Sequence, residues 1–265
     1  MVAGHARLYA IIGDPIAHVR TPLVFNAFFE AHGIDAVCVP LHIHPQDLDA
    51  AVAGLRGFAN LDGFIVTAPH KARLAALVDH LEGDGALVRA VNTVRRAADG
   101  TLSGTMLDGH GFVAGLTGAG HHVAGRSAYV AGAGGAASAV AFALAGAGIS
   151  RLTVFNRTPE RAKALLARVK AAYPQVETAL GTRDPRGHDL AVNATPLGLE
   201  PGDPFSFDVE RLDRSTLVAE VLMKPETTAL LTAAAGCGCA IHQGKHMLDG
   251  QRDLMMAYFG LAPTA

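Results

Sequence analysis

The chain has no tryptophan and, over 265 residues, only three cysteines, Cys38, Cys237 and Cys239. No pair of them has the C-x-x-C spacing of a thiolate metal site, and an odd, scattered set is no disulfide framework. Free thiols in a reducing compartment fit better, so the protein is expected to be cytoplasmic. Charge is also scarce: 17% of residues are Asp, Glu, Lys or Arg and the net charge is -2. Without a basic cluster or an acidic tail there is no electrostatic footprint for a polyanion, and nucleic acid is not an expected partner. The opening "MVAGHARLYAIIGDP" has no basic leader region or small-residue cleavage site, so it is not read as a signal peptide.

Long apolar runs are missing with one exception. Residues 129–149, "YVAGAGGAASAVAFALAGAGI", carry no charge over about the length of a membrane span. The run is built of Ala and Gly rather than Leu and Ile, and its glycines have the spacing of a strand-to-helix turn. A strand followed by a buried helix therefore explains it, and no membrane partner is expected. Half of the residues are hydrophobic, enough for a sizeable core in one large or two small domains.

Along the first hundred residues, strand-like and helix-like runs alternate: "RLYAII", a helix opening at Thr21-Pro22, "AVCVPLHI", a helix opening at Pro45, then "LDGFIVT" and a helix from about Pro69. Thr21 before Pro22 reads as an N-cap and first-turn pair, since the hydroxyl accepts an orphan N–H and proline has none to lose. Gly33 and Gly57 fall where these helices stop. "VNTVRR-AADG-TLSGTM" reads as a hairpin around an Ala-Asp-Gly turn, and a helix follows from about Asp108. A fresh alternation starts near Ser127: "SAYVAG", helix, "RLTVFN", helix, "VETAL", "DLAVNAT", "LVAEVL", "CAIH", and a last helix over about 245–259. Strands alternating with helices imply crossover connections and a parallel sheet covered on both faces.

"YVAGAGGAASA" sets Gly132, Gly134 and Ala137 as G-x-G-x-x-A after a strand and at a helix start, the context of the dinucleotide fingerprint. The first glycine allows a tight turn, the second lets backbone approach a pyrophosphate, and the small third residue lets helix pack on strand. About twenty residues on, where an NAD enzyme carries a carboxylate for the ribose hydroxyls, the chain reads "FNRTPER". Asn156, Arg157 and Thr158, with Arg161 a step beyond, offer donors that suit a 2′-phosphate dianion. The same arginines would also serve as a solvated pair at a helix start. Together with the glycine turn they predict NADP, with NAD as the alternative.

Ahead of that region lie two groups able to handle a proton, Lys71 in "GFIVTAPHK" and Asp108 in "TMLDGHG". Interconverting a secondary alcohol and a ketone by hydride transfer needs a group that accepts and returns the hydroxyl proton. A surface lysine after a turn and a helix-capping aspartate would leave the same residues.

The motifs "GDPIAHVRTPLVFN", "GFIVTAPHK", "AVNTV", "LDGHG", "AGAGGAA", "NRT", "NATPLG", "PETTALL" and "GKHMLDGQ" span nearly the whole chain. In their order and spacing the chain resembles the shikimate dehydrogenase family. The resemblance implies an α/β protein of two domains: an N-terminal substrate domain over 1–108 plus 244–265, and a Rossmann-type doubly wound parallel-sheet domain over 109–243 that binds NADP. The C-terminal helix then returns to the first domain across a cleft. It implies Lys71 and Asp108 as the catalytic pair. Thr67 and Asn92 would hold ring hydroxyls and carboxylate, Thr21 would receive the carboxylate, and Gln251 would reach the substrate from the last helix. Further cofactor contacts are implied at Gly135, Ala136, Asn193, Ala194, Thr195, Val221 and Gly244.

The chain departs from the family pattern at several polar positions. Where the family usually reads His-Ser-x-Ser-Pro this chain reads "HVRTP", so Val19 replaces one carboxylate-binding hydroxyl, and Ile65 stands where an asparagine is usual. Met106-Leu107 replace Asn-Thr ahead of the aspartate, and Leu222 is set against a family tyrosine. Losing one hydrogen bond to a charged carboxylate costs about 1.5–3 kcal/mol, roughly a ten- to hundredfold weaker substrate. Backbone or water could also supply the missing contacts. The expectation is a dehydrogenase of a shikimate-like ring acid with a divergent pocket, as a monomer or homodimer. The alternatives are a quinate- or aminoshikimate-type enzyme, or a catalytically weak cofactor-binding regulator. His18, His70 and His110 flank the expected cleft. The pairs His42 and His44, and His121 and His122, have no acidic or cysteine partner at ligand spacing, and no metal is expected.

Overall fold

The computed structural model describes residues 3–17 and 19–261, which form two compact units, Met1–Leu107 with Arg252–Ala265, and Asp108–Gln251. The chain thus breaks at 107/108 and 251/252, where the sequence reading put 108/109 and 243/244.

In the first unit the order is β1 (Arg7–Gly13), α1 (Thr21–Ala31), β2 (Ala36–His42), α2 (Leu48–Arg56) and β3 (Leu61–Val66). Then come α3 (Lys71–Leu74), β4 (His80–Leu81), α4 (Asp84–Val88), β5 (Thr93–Arg96) and β6 (Leu102–Thr105). The six-stranded sheet has the order β2-β1-β3-β5-β6-β4. β1 is parallel to β2 and β3, whereas β5 runs antiparallel to both β3 and β6. The sheet is therefore mixed, because the Ala-Asp-Gly hairpin expected from the sequence is inserted into it. Gly100 takes the left-handed turn position (φ 88°) and the Ala97 N–H closes on the Thr101 carbonyl. Phe64, Leu61, Val94 and Leu102 fill the core under one face with Val52 and Leu55 of α2.

Two local expectations change, and one short strand is unexpected. Thr21 is the first residue inside α1, not its cap; Arg20 is the N-cap and no side chain bonds the helix start. The helix expected from Pro69 is the single turn Lys71–Leu74, and β4 is two exposed residues, too short to leave a pattern.

The second unit holds α5 (Asp108–Gly118), β7 (Ser127–Ala131), α6 (Gly135–Gly146), β8 (Arg151–Phe155), α7 (Pro159–Ala172) and β9 (Glu177–Leu180). It continues with β10 (Leu190–Asn193), β11 (Leu217–Glu220), α8 (Ala229–Gly236), β12 (Ala240–His242) and the first part of α9 (Lys245–Tyr258). Its sheet, in the order β12-β11-β10-β7-β8-β9, is parallel throughout. The uncharged run resolves as expected into a strand and a helix, and residues 137–145 of α6 are all buried. Among the described residues no helix is long and apolar enough to cross a membrane.

A buried polar cluster joins the ends of β10 and β11. Asn193 donates from Nδ2 to both Glu220 carboxylate oxygens (3.1 and 3.0 Å) and to the Leu197 carbonyl (2.9 Å). Thr228, the N-cap of α8, donates to Glu220 Oε1 (2.8 Å) while its oxygen accepts from Leu231 N–H. Glu220, Asn193 and Thr228 are fully buried, and burial, opposed by these hydrogen bonds, pushes the Glu220 carboxyl up to about 7. Between the ordinary carboxylate value and about 7, the native state holds a proton that the unfolded chain has released. Stability from this group is therefore present at low pH and lost as pH rises through about 7. Glu220→Gln should flatten that dependence, gaining on the wild type between about pH 5 and pH 8 by up to about 3 kcal/mol, at about 1.4 kcal/mol per unit. Urea unfolding at the two pH values measures it, and parallel pH curves would exclude the assignment.

Candidate active site

In the first unit, β3 ends against β1 and hands the chain to the loop that carries Thr67 and Lys71. Thr67 N–H donates to the Ile12 carbonyl (2.9 Å), and its own carbonyl receives His70 N–H (3.1 Å), so the turn is fixed on both sides. Lys71 opens α3, half-buried, and its carbonyl accepts from Val91 N–H (3.0 Å). His70 is 1% exposed and its Nε2 lies 2.8 Å from the Ile43 carbonyl, which makes it a brace for the loop. His110 is exposed, and His18 lies outside the described residues.

Asn92 is buried beside this loop. Its Oδ1 accepts from Leu107 N–H (2.9 Å) and from the Thr93 hydroxyl (3.1 Å). Thr21 is buried at the start of α1. Ile65 is 4% exposed within an apolar cluster of Tyr9, Ile11, Phe25 and Met255, against which Val19 and Leu107 pack. Three of the positions where the chain departs from the family pattern thus meet in one apolar patch of this unit, although they lie far apart in sequence.

In the second unit, Asp108 starts α5 and is 3% exposed. Gln251 Nε2 donates to its Oδ1 at 2.9 Å, from 143 positions away. Glycine makes this contact reachable. A Cβ on Gly111 would stand 2.2 Å from Gln251 Cγ, and one on Gly250 would stand 2.5 Å from the Gly111 carbonyl oxygen, so only bare backbone lets α5 and α9 come this close. Nothing in the linear pattern of "LDGHG" and "DGQ" assigns its glycines that packing role.

The residues expected at the cofactor gather on the carboxyl edge of the parallel sheet. Gly132 leaves β7 at φ 116°, and a Cβ there would lie 2.6 Å from the Ala194 carbonyl oxygen, so the position demands glycine. Gly134 is the extended N-cap of α6, and Gly134 and Gly135 face open space. Exposed backbone N–H groups at the N-terminus of a twelve-residue helix suit a pyrophosphate. Ala136 is half-buried and Ala137 fully buried against the strand. At the tip of β8, Asn156 donates to the Thr158 carbonyl (2.9 Å), and Arg157, Thr158 and Arg161 are exposed. Thr158 is the N-cap of α7 but makes no capping bond with its side chain.

Beside this edge, Asn193 turns its whole amide inward. Its Oδ1 accepts from Thr195 N–H (3.1 Å) and Thr195 hydroxyl (2.7 Å), in addition to the bonds its Nδ2 makes to Glu220 and Leu197. Asn193 therefore shapes the loop holding Ala194 and Thr195 instead of facing outward. Gly244 is required by a close approach: a Cβ would meet the Leu222 carbonyl oxygen at 2.2 Å, next to Val221. Glu220 and Thr228, which anchor these loops, were not singled out in the sequence; the signal was a lone carboxylate at the end of an otherwise apolar strand, "LVAE". His42 and His44 meet in the fold a carboxylate from far along the chain, Asp14, at 28 and 30 residues' separation.

Comparison with known proteins covers both units. The family model of the shikimate dehydrogenase substrate binding domain matches residues 11–94, and that of shikimate / quinate 5-dehydrogenase matches residues 117–182. A shikimate dehydrogenase (NADP(+)) of Rubrobacter xylanophilus is 43% identical over 99% of this chain and 94% of that protein. Among solved structures, shikimate 5-dehydrogenase of Thermus thermophilus in complex with NADP(H) and shikimate superposes with TM-score 0.87 at 29% identity, over 97% of this chain and 95% of that one. Quinate dehydrogenase of Corynebacterium glutamicum in complex with NAD does so with TM-score 0.87 at 30% identity, over 98% and 95%. With family models matching both units and a relative 43% identical over nearly the whole chain, one conclusion follows: the chain belongs to the shikimate dehydrogenase family.

Proposed function

We propose that this protein interconverts a cyclic polyhydroxy acid of the shikimate type and its keto form, with NADP as hydride carrier. The observation that carries the reading is the buried Gln251–Asp108 hydrogen bond, which supports a substrate-binding amide and a catalytic carboxylate acting side by side. When bound, NADP supplies the hydride chemistry. The glycine turn at Gly132 and Gly134 would receive its pyrophosphate, and Asn156, Arg157, Thr158 and Arg161 its 2′-phosphate. Lys71 takes the hydroxyl proton as the alcohol becomes a ketone and returns it in reduction; Asp108 is the carboxylate that supports this exchange. Thr21, Thr67 and Asn92 orient the ring, and the positioning they provide is the protein's main share of the rate. Small-molecule chemistry in a reducing cytoplasm is consistent with the three free cysteines.

A quinate-type or related ring acid is the second reading. The specific observation favouring it is the apolar patch of Val19, Ile65 and Leu107, which offers a substrate carboxylate fewer hydrogen bonds than the usual pattern.

Replacing Lys71 by Ala should lower kcat with the preferred ring acid by roughly 10²–10⁴-fold and leave NADP affinity unchanged. Steady-state assays against shikimate and quinate, with cofactor titration alongside, test this; unchanged turnover removes Lys71 from the chemistry. A wild type inert toward every ring acid would instead favour a regulatory protein. Arg157→Ala combined with Arg161→Ala should raise KM for NADP about ten- to hundredfold, the loss of charge-assisted hydrogen bonds, with KM for NAD unchanged. An equal effect on both cofactors would place the arginines away from the 2′-phosphate. Val19→Ser should improve kcat/KM for shikimate by about tenfold if the missing hydroxyl limits carboxylate binding, and an unchanged value would mean that another group already serves.

A further inference from the structure

At the carboxyl ends of β1 and β2, three potential metal ligands converge. His42 Nε2 lies 2.7 Å from Asp14 Oδ1, and His44 Nδ1 lies 3.2 Å from Asp14 Oδ2. One ligand atom from each residue falls within 4.8 Å of the others, and the two imidazole centroids are 4.8 Å apart.

The backbone builds this arrangement. Gly13 pairs with His42 in the parallel register of β1 and β2, so Asp14 leaves its strand beside His42. Ile43 between the histidines is held at both ends: its N–H donates to the Gly13 carbonyl (3.2 Å), and its carbonyl lies 2.8 Å from buried His70 Nε2. His44 is extended (φ -71°, ψ 151°) ahead of Pro45, the conformation a following proline favours. Residues two apart in an extended run point the same way, so both imidazoles reach one side, toward Asp14. Asp14 is fixed in turn by its N–H to the Ala68 carbonyl (3.1 Å).

We propose that Asp14, His42 and His44 form a binding site for a divalent transition-metal ion of the zinc type. Two imidazoles and one carboxylate are the donor set that such ions select over Mg²⁺ or Ca²⁺. Three protein ligands leave a fourth position for water. With Zn–N and Zn–O bonds of about 2.0–2.2 Å, tetrahedral ligand atoms stand roughly 3.3 Å apart. The observed spacing needs adjustment of up to about 1.5 Å, and the histidine side chains, 47% and 57% exposed, are free of core packing that would resist it. The ion would take the place of the imidazole–Asp14 hydrogen bonds, with one ring nitrogen of each histidine and one Asp14 oxygen turned to the metal. The carboxylate partner lies just past β1, 28 residues before His42, and only the β1–β2 register brings it to the histidines.

The test is a Zn²⁺ titration of the full chain in competition with a chromophoric zinc indicator. It compares wild type with Asp14→Asn, His42→Gln, His44→Gln and the double histidine variant, all pre-treated with chelator. We expect one zinc equivalent in the wild type that the double variant lacks, and affinity at least tenfold weaker in each single variant, the effect of losing even an outer-shell partner. Co²⁺ substitution should give visible d–d absorption in the wild type alone. Equal zinc stoichiometry and affinity in wild type and double variant, or no uptake by the wild type, overturns the proposal. Circular dichroism and NADP affinity, which should match across the set, confirm that each variant is folded; a variant that fails either is set aside, and Asp14→Asn, which can keep a hydrogen bond to the imidazoles, carries the comparison.

Discussion

A parallel strand must re-enter its sheet from the same edge each time, so whatever follows each strand collects on the opposite edge. This constraint gathers the loops beyond the parallel strands of each unit on one edge. In the second unit the register sets Ala131 against Asn193 and Phe155, and Asn193 against Glu220. The residues just beyond, Gly132, Asn156, Ala194 and Val221, are therefore neighbours before any side chain is considered. In the first unit Gly13 is level with His42 and Ile12 with Val66, which brings Asp14, His44 and Thr67 to one edge in the same way.

Two kinds of close packing hold these edges in shape. Bare backbone allows approaches that a Cβ would block, at Gly132 against Ala194, at Gly244 against Leu222, and at Gly111 and Gly250 where α5 meets α9. Buried polar groups supply direction where apolar contact cannot. The Asn193 amide bonds Glu220, Leu197 and Thr195, and Glu220 also takes Thr228, so two loops and the start of α8 share one satisfied cluster. Such a cluster is expensive to leave half-paired, which makes the loops it joins keep one arrangement. The apolar patch of Ile65 with Val19 and Leu107 works in the opposite sense, replacing directional contacts by burial alone.

Much of this was legible in the sequence because it is local. Strands and helices of the second unit follow from hydrophobic period and turn residues, and the glycine turn and the carboxylate-free tip of β8 carry the cofactor expectation in their local spacing. Cap geometry was not legible at Thr21, where the helix starts one residue early without a side-chain bond. Nor was β4, whose two exposed residues carry no period. The mixed sheet of the first unit followed from an expected hairpin whose neighbours in the sheet the sequence does not name.

The sequence by itself determined the element types, the glycine-bearing turn, the free thiols and the family to which the chain is similar, since all of these are written in residue type and short spacing. Only the tertiary structure decided which distant residues meet: Gln251 with Asp108, Asn193 with Glu220, Val19 and Leu107 with Ile65, and Asp14 with two histidines 28 and 30 residues away. The reason is physical. Spacing along a strand or helix fixes neighbours a few residues apart, whereas contacts between elements depend on sheet register and on how closely two backbones can approach.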